Sequence, residues 1–185
     1  MADATLDRLA MTSPFDSAPF PQGPGYRLAP WPVARLHLMG VARDVVPDPL
    51  RAWGFDSLPT MLRAQTADGR VLMRLAPEEL LILREEGAPV PAFGEFSGRN
   101  LIEISHSLLG IRLEGSHAAR HLAVGCPIDV HEKAFPVGMS TRTLFGKFEI
   151  IVWRRGADDF RLLVARSSFF AFLVYAGSVF PETPV

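Results

Sequence analysis

The sequence predicts an α+β domain of split β-α-β modules, in which a mostly antiparallel sheet carries helices on one face. Three observations support this fold class. Short segments of alternating polar and apolar residues follow one another along the chain, and short turns containing glycine or proline join most of them. Long connections of the kind that parallel strands need are missing.

The first half of the chain predicts four of these strands and one short helix. Residues 33–39 alternate as a half-buried strand does, and a short helix follows near residues 49–53. Residues 70–75 and 80–83 predict two further strands, with the Asp68-Gly69 turn before the first of them. Residues 100–105 alternate again and form the fourth strand.

The second half predicts four strands and two longer helices. Strands are expected at residues 111–114, 140–145, 148–154 and 160–165. A helix over residues 117–124 follows the first of these, with Ser116 as its N-cap and Gly125 at its end. The last helix begins at Ser167 or Ser168 and ends before Pro181.

We divide the chain into three parts. Residues 1–32 form a Pro-rich arm, because six prolines lie between Pro14 and Pro32 and each removes an amide donor. Residues 33–180 form a single α+β domain, and residues 181–185 form a short tail. The arm is either a loose tail or a strap on another subunit, for which Phe15, Phe20, Tyr26 and Trp31 would be the anchors.

Composition and charge exclude several functional classes. The 185 residues include 19 Lys and Arg against 20 Asp and Glu, so the chain lacks the positive field that gathers nucleic acid. The most apolar stretch, residues 168–180, would make a helix about 20 Å long, too short for a bilayer core of about 30 Å. The single cysteine, Cys126, cannot form an internal disulfide, and the first residues carry no export signal, so we expect a cytoplasmic protein.

Few residues suggest chemistry. No glycine-rich phosphate loop or dinucleotide-binding motif occurs, so we expect no cofactor in this chain. His117 and His121 stand four apart on the predicted helix, with His131 ten residues further on; this suits part of a metal site or, as we prefer, surface histidines. Cys126 is either a nucleophile or, as we prefer, a small buried side chain. We interpret Ser105-His106-Ser107 as a strand end and turn rather than a nucleophile with its base.

The last predicted helix is apolar on every side, which is typical of a helix enclosed between its own sheet and another body. That body is either another subunit or the N-terminal arm. The side chains that we expect at a partner interface are Phe169, Phe170, Phe172, Leu173, Val174, Phe180 and Trp31.

Five short segments in the second half of the chain form a recognisable set. They are LLGIRLEG at 108–115, LAVGCPIDVH at 122–131, AFP at 134–136, TLFGK at 143–147 and VARS at 164–167. Together they resemble the gamma subunit family of heterotetrameric sarcosine oxidase. The resemblance runs from about residue 102 to 176. Further upstream, LAPEEL at 75–80 is similar to a family turn but has Leu80 in place of its tryptophan.

The resemblance implies a fold similar to the folate-binding domain of the glycine cleavage T protein. It also implies a non-catalytic subunit that joins alpha, beta and delta subunits in an oxidoreductase complex. FAD, FMN, NAD, tetrahydrofolate and zinc would lie in those partner subunits. The complex would demethylate sarcosine or a related secondary amine oxidatively and pass the one-carbon unit to tetrahydrofolate. Separately from the resemblance, exposed apolar surface would allow the isolated chain to self-associate.

Two other functions stay open. The first is a free-standing folate-binding or one-carbon-transfer protein, in which Asp129 or Glu103 would bind the pterin and Arg112 or Lys147 the folate carboxylates. The second is a metal-dependent hydrolase built on His117 and His121.

Overall fold

The computed structural model describes residues 13–41, 45–85 and 100–179, which form eleven strands and three α-helices. The strands are β1 (Gln22–Gly23), β2 (Tyr26–Pro30), β3 (Val33–Met39), β4 (Ala64–Ala67), β5 (Arg70–Ala76), β6 (Glu79–Glu85), β7 (Asn100–Glu103), β8 (Leu108–Glu114), β9 (Ser140–Phe145), β10 (Phe148–Gly156) and β11 (Asp159–Ala165). The helices are α1 (Asp48–Ala52), α2 (Ala118–Gly125) and α3 (Phe169–Val179), and a 3₁₀ turn, Arg166–Ser168, leads into α3.

The strands form two sheets. Sheet A has the order β1-β2-β8-β11-β10-β9, and sheet B has the order β4-β5-β6-β3-β7. The paired strands in both sheets are antiparallel. The predicted α+β class with mostly antiparallel pairing is therefore confirmed, but the strands that the sequence assigned to one sheet are divided between two.

Three apolar layers hold the sheets and helices together. The layer between the sheets contains Trp31, Leu81 and Trp153 together with other buried residues from both sheets. The outer face of sheet A packs against α2 and α3, and the outer face of sheet B packs against α1 and its neighbouring loops. Alternate residues of one strand serve two layers: Ile150 faces the helices, whereas Ile151 faces sheet B.

Most predicted elements are present with small changes in their bounds. Strand β3 and strand β9 have the predicted ends, and the other predicted strands shift by a few residues. One strand that was not predicted lies within the Pro-rich segment before residue 33: β2 pairs with β8, placing Leu28 opposite Leu113. Strands β1 and β4 were also missed. Ser116 does not cap α2, since His117 occupies the N-cap position and makes no side-chain capping bond.

Two glycines, one within β8 and one directly after it, let the N-terminal segment approach β8. A Cβ atom on Gly110 would lie 2.3 Å from the backbone oxygen of Trp31, and one on Gly115 would lie 2.3 Å from that of Gly25. Gly115 also has a φ of +128°, which side chains rarely adopt. These glycines therefore allow the backbone contacts that attach the segment around β2 to the domain.

Candidate functional site

Helix α3 carries five of the seven side chains expected at a partner interface, but three of these five face inward. Phe169, Phe172 and Leu173 are at most 1% exposed and belong to the layer under sheet A. Phe172 packs against the rings of Phe145 and Phe148, at centroid distances of 5.6 and 5.9 Å. These three side chains contact the chain's own core, which corrects their assignment to surface available to a partner.

The N-terminal segment covers part of the same helix. The rings of Phe15 and Phe20 meet the ring of Phe169 edge-on, at centroid distances of 5.6 and 6.1 Å. Trp31 is only 5% exposed, lies 6.2 Å from the Trp153 ring and supports the guanidinium of Arg161. Trp31 is therefore a core residue between the sheets and offers no surface to another subunit, which is a second correction to the expected interface.

Two of the expected interface residues do lie at the surface. Phe170 is 47% exposed and Val174 is 69% exposed. They stand four residues apart on α3, so they lie on one face of the helix and form an apolar stripe, which we call the α3 stripe. Phe180, the remaining residue of that set, lies outside the described residues.

The histidines of α2 occupy different environments. His121 is buried, and its ring packs at a tilt against the Tyr26 ring, with a centroid distance of 4.1 Å. Burial together with the nearby His117 and Arg120 lowers the pKa of His121. The rings of His117 and His121 are 6.4 Å apart, and His131 is exposed in the loop after α2. His121 is therefore not the surface histidine that we preferred. Over residues 13–41, 45–85 and 100–179, no group of three His, Cys, Asp or Glu side chains is arranged to hold a metal.

The two nucleophile candidates, Cys126 and Ser105, lie in environments that suit a structural role. Cys126 is 9% exposed, and burial raises the pKa of its thiol to about 12, which makes the thiolate scarce at neutral pH. This agrees with the interpretation of Cys126 as a small buried side chain. Ser105 lies after β7, where its hydroxyl accepts a bond from the amide of Arg35 at 2.9 Å, and His106 is exposed in the following turn.

A polar cluster that the sequence did not reveal connects the two sheets. The imidazole of His37 on β3 donates to Glu79 on β6 at 2.8 Å, and Arg142 on β9 forms a two-point ion pair with the same carboxylate. Arg142 holds the pKa of Glu79 below its usual range. Strand alternation places His37 and Arg142 on faces that a single sheet would expose to water, so no pattern in the sequence indicated the cluster.

The residues proposed for folate binding lie on four separate elements. Glu103 ends β7, and Arg112 lies on β8, where its side chain donates to the Pro30 carbonyl at 3.0 Å. Asp129 follows α2 and accepts a bond from the amide of His131 at 2.8 Å. Lys147 lies over the Phe148 ring in the turn between β9 and β10.

The chain matches the model of a known protein family. Residues 50–178 match the model of the "Sarcosine oxidase, gamma subunit family". The chain is 30% identical over 131 residues to sarcosine oxidase subunit gamma of Corynebacterium sp. (strain P-1), covering 66% of this chain and 64% of that protein. It is also 30% identical over 111 residues to the protein of the same name from Corynebacterium sp. (strain U-96), covering 57% and 53%. The chain thus spans between about half and two thirds of the length of these relatives.

Two solved structures share the fold. A chain of heterotetrameric sarcosine oxidase from Corynebacterium sp. U-96 has a TM-score of 0.74 and 24% identity, over 92% of this chain and 93% of that chain. Aminomethyltransferase T of the glycine cleavage system from Bartonella henselae has a TM-score of 0.61 and 14% identity, over 83% of this chain and 46% of that one. The expected similarity to the T-protein fold is therefore confirmed. Across the described part of the chain, no helix has the length and apolar character needed to cross a membrane.

Proposed function

The chain belongs to the sarcosine oxidase gamma subunit family, and from that membership we propose that it is the gamma subunit of a heterotetrameric sarcosine-oxidase-like complex. The family match over residues 50–178 carries this proposal. The role of the chain is to dock onto larger subunits and to perform no reaction of its own. The buried, poorly ionised thiol of Cys126 supports that role, because a nucleophile needs the opposite environment.

We also propose the reaction of the whole complex and its cofactors. The complex demethylates sarcosine or a related secondary amine oxidatively and passes the one-carbon unit to tetrahydrofolate. FAD, FMN, NAD, tetrahydrofolate and zinc belong to the alpha, beta and delta subunits. The family name supports the amine substrate, and the single cysteine of the chain suits a cytoplasmic location.

The α3 stripe is the proposed docking surface. An aromatic ring and a branched aliphatic side chain, four residues apart on one helix face, match the apolar core of a protein interface. The inward face of the same helix is fixed by the aromatic core, so the stripe is presented on a rigid support. Burial of Val174 against a partner would make its replacement by a charged residue costly for assembly.

The test is a Val174→Asp variant produced together with its partner subunits. We expect the variant to lose at least nine tenths of the co-purifying flavoprotein, because a carboxylate would be buried without a partner. Val124→Asp is the matched control, since Val124 is 51% exposed on α2 and lies outside the stripe. Equal recovery of the flavoprotein with both variants would show that α3 is not the docking surface.

Titration with tetrahydrofolate distinguishes the free-standing folate-binding alternative. The structural similarity to aminomethyltransferase T is the reason to test this alternative, but that similarity is one of fold. A docking subunit should show no change in tryptophan fluorescence at micromolar tetrahydrofolate, whereas a folate-binding protein should be quenched. Metal analysis of the pure chain addresses the hydrolase hypothesis, which requires bound zinc.

A further inference from the structure

A basic cleft lies at one end of the two-sheet core. Its volume is about 450 Å³, and it opens beside β3, the turn after β7 and the start of the 3₁₀ turn. Apolar side chains form part of its wall, among them Phe15, Val33 and Leu109. The charged and ionisable side chains that line it are Arg35, Arg84, Glu85, His106 and Arg166.

Arg35 is the most deeply buried of these groups. It is 2% exposed, and its Nη1 donates to the carbonyl oxygen of Ser105 at 2.7 Å. Its Nε is buried without a hydrogen-bond partner, and among the described residues no carboxylate forms an ion pair with this guanidinium. Burial lowers the pKa of Arg35 to about 10. A buried cation without a counter-charge is costly, and an anion bound beside it would offset that cost.

The rest of the lining adds positive charge. Three arginines face one glutamate, Glu85, among the described residues of the wall. Arg166 is half-buried, and its amide donates to the Ser107 carbonyl at 2.9 Å, which fixes the start of its side chain at the rim. Arg166 also belongs to the VARS segment, to which the docking role assigns no task. The cleft therefore combines excess positive charge with a partly apolar wall.

We propose that this cleft binds a small organic anion, whose carboxylate or phosphate group is held by Arg35 and Arg166 while its carbon skeleton lies against Phe15 and Leu109. Guanidinium groups match both oxyanions, because their planar N–H donors pair with two oxygens at once. The volume is within the range of small-molecule sites. The proposal does not depend on the docking role, since the α3 stripe and the cleft share no residue.

Isothermal titration of the full chain at constant ionic strength tests the proposal. The probes are benzoate, phenyl phosphate and inorganic phosphate, and the last of these has no carbon skeleton. We expect saturable binding of benzoate, phenyl phosphate or both, and weaker binding of inorganic phosphate. Arg35→Met and Arg166→Gln should each raise the dissociation constant of the probe that binds at least tenfold, since each substitution removes charge-assisted hydrogen bonds. Arg27→Gln, on an exposed arginine of β2, is the control with the same change in charge.

Each result decides the proposal. Selective weakening by the two cleft variants, with Arg27→Gln unchanged, supports it; preference for benzoate or for phenyl phosphate identifies the oxyanion. The proposal is overturned if neither benzoate nor phenyl phosphate binds saturably up to about 10 mM, a concentration at which weak sites are occupied. It is also overturned if all three variants weaken probe binding equally. Binding of an oligoglutamate peptide without binding of either small anion also overturns it and would assign the cleft to an acidic protein segment. If Arg35→Met does not fold, Arg166→Gln decides alone.

Discussion

At the scale of single residues, burial decides which polar groups could take part in chemistry. His121 of α2 and Cys126, which directly follows that helix, are both buried, and loss of water disfavours their charged forms. The pKa of the thiol therefore rises and that of the imidazole falls. Arg35 stays buried and charged beside a cleft instead. The same physical effect thus makes Cys126 inert and makes the surroundings of Arg35 attractive to an anion.

Cys126 should react slowly with thiol reagents. With its pKa raised to about 12, roughly one thiol in ten thousand is ionised at pH 8. We expect iodoacetamide to label the folded chain at least a hundredfold more slowly than the urea-unfolded chain. Labelling of the folded chain at the rate of a free thiol would contradict the buried position.

The same shift gives a pH dependence of stability. The folded-state pKa lies above the ordinary value of 9.0, so the folded chain binds the thiol proton more tightly than the unfolded chain does. This contribution to the free energy of unfolding is fully present below pH 9 and is lost as pH rises toward about 12. A Cys126→Ala variant should show a smaller loss of stability over that range in urea unfolding experiments.

The sequence predicted some residue environments and missed others. The position of Cys126 between a helix end and a proline indicated a small buried side chain, and the structure agrees. The sequence could not reveal that His121 is buried against the Tyr26 ring, because Tyr26 was assigned to an arm outside the domain. Arg35 and His37 look like solvent-facing positions of a half-buried strand until a second sheet covers that face.

At the scale of elements, α3 has one face in the core and one at the surface. Because its sequence is apolar on every side, we predicted that both faces of the helix would be covered. In the structure, sheet A covers the inner face, and Phe15 and Phe20 pack against Phe169 at the start of the helix. Phe170 and Val174 remain exposed. The helix was predictable from its composition, but which residues face outward depends on packing against strands distant in sequence.

The two faces of α3 should respond differently to truncation. Phe172→Ala should lower the free energy of unfolding by about 3–5 kcal/mol, because it leaves a cavity among packed aromatic rings. Phe170→Ala should change it by less than ~1 kcal/mol, since that ring is nearly half exposed. Urea unfolding of both variants is the measurement, and similar losses would contradict the orientation of the helix.

Among the strands, too, those with a clear local pattern were predicted, and one that depends on a distant contact was missed. Alternation in β3 and β9 was regular enough to give their ends, whereas β2 was hidden among prolines that usually exclude a strand. It can pair with β8 because Gly110 within that strand and Gly115 directly after it leave room where the backbones approach most closely. Such tolerance comes from a contact between distant segments, so local pattern could not predict it.

At the scale of the whole molecule, an ion cluster complements the apolar layer between the sheets. Glu79 accepts bonds from His37 of sheet B and Arg142 of sheet A, so one carboxylate joins the two sheets. The division into two sheets could not be predicted from the order of elements, because alternating strands and short turns suit one sheet as well as two.

Replacement of Glu79 should weaken the connection between the sheets. Glu79→Gln should lower the free energy of unfolding by about 1–2 kcal/mol, a modest value because Arg142 is partly exposed to screening solvent. Because the pKa of Glu79 is lowered in the folded chain, its contribution is present above the ordinary value of 4.5 and is lost as pH falls below it. Glu78→Gln, an exposed neighbour, is the control, and an equal loss in both variants would contradict the role of the cluster.

The central claim, that this chain acts by docking, is tested most directly by its state in the cell. Affinity purification of the full chain, tagged and expressed at its native level, gives that state when the native mass and flavin absorbance of the product are measured. We predict recovery of the chain in a stoichiometric complex with larger flavin-bearing subunits. Recovery as a flavin-free monomer would contradict the claim.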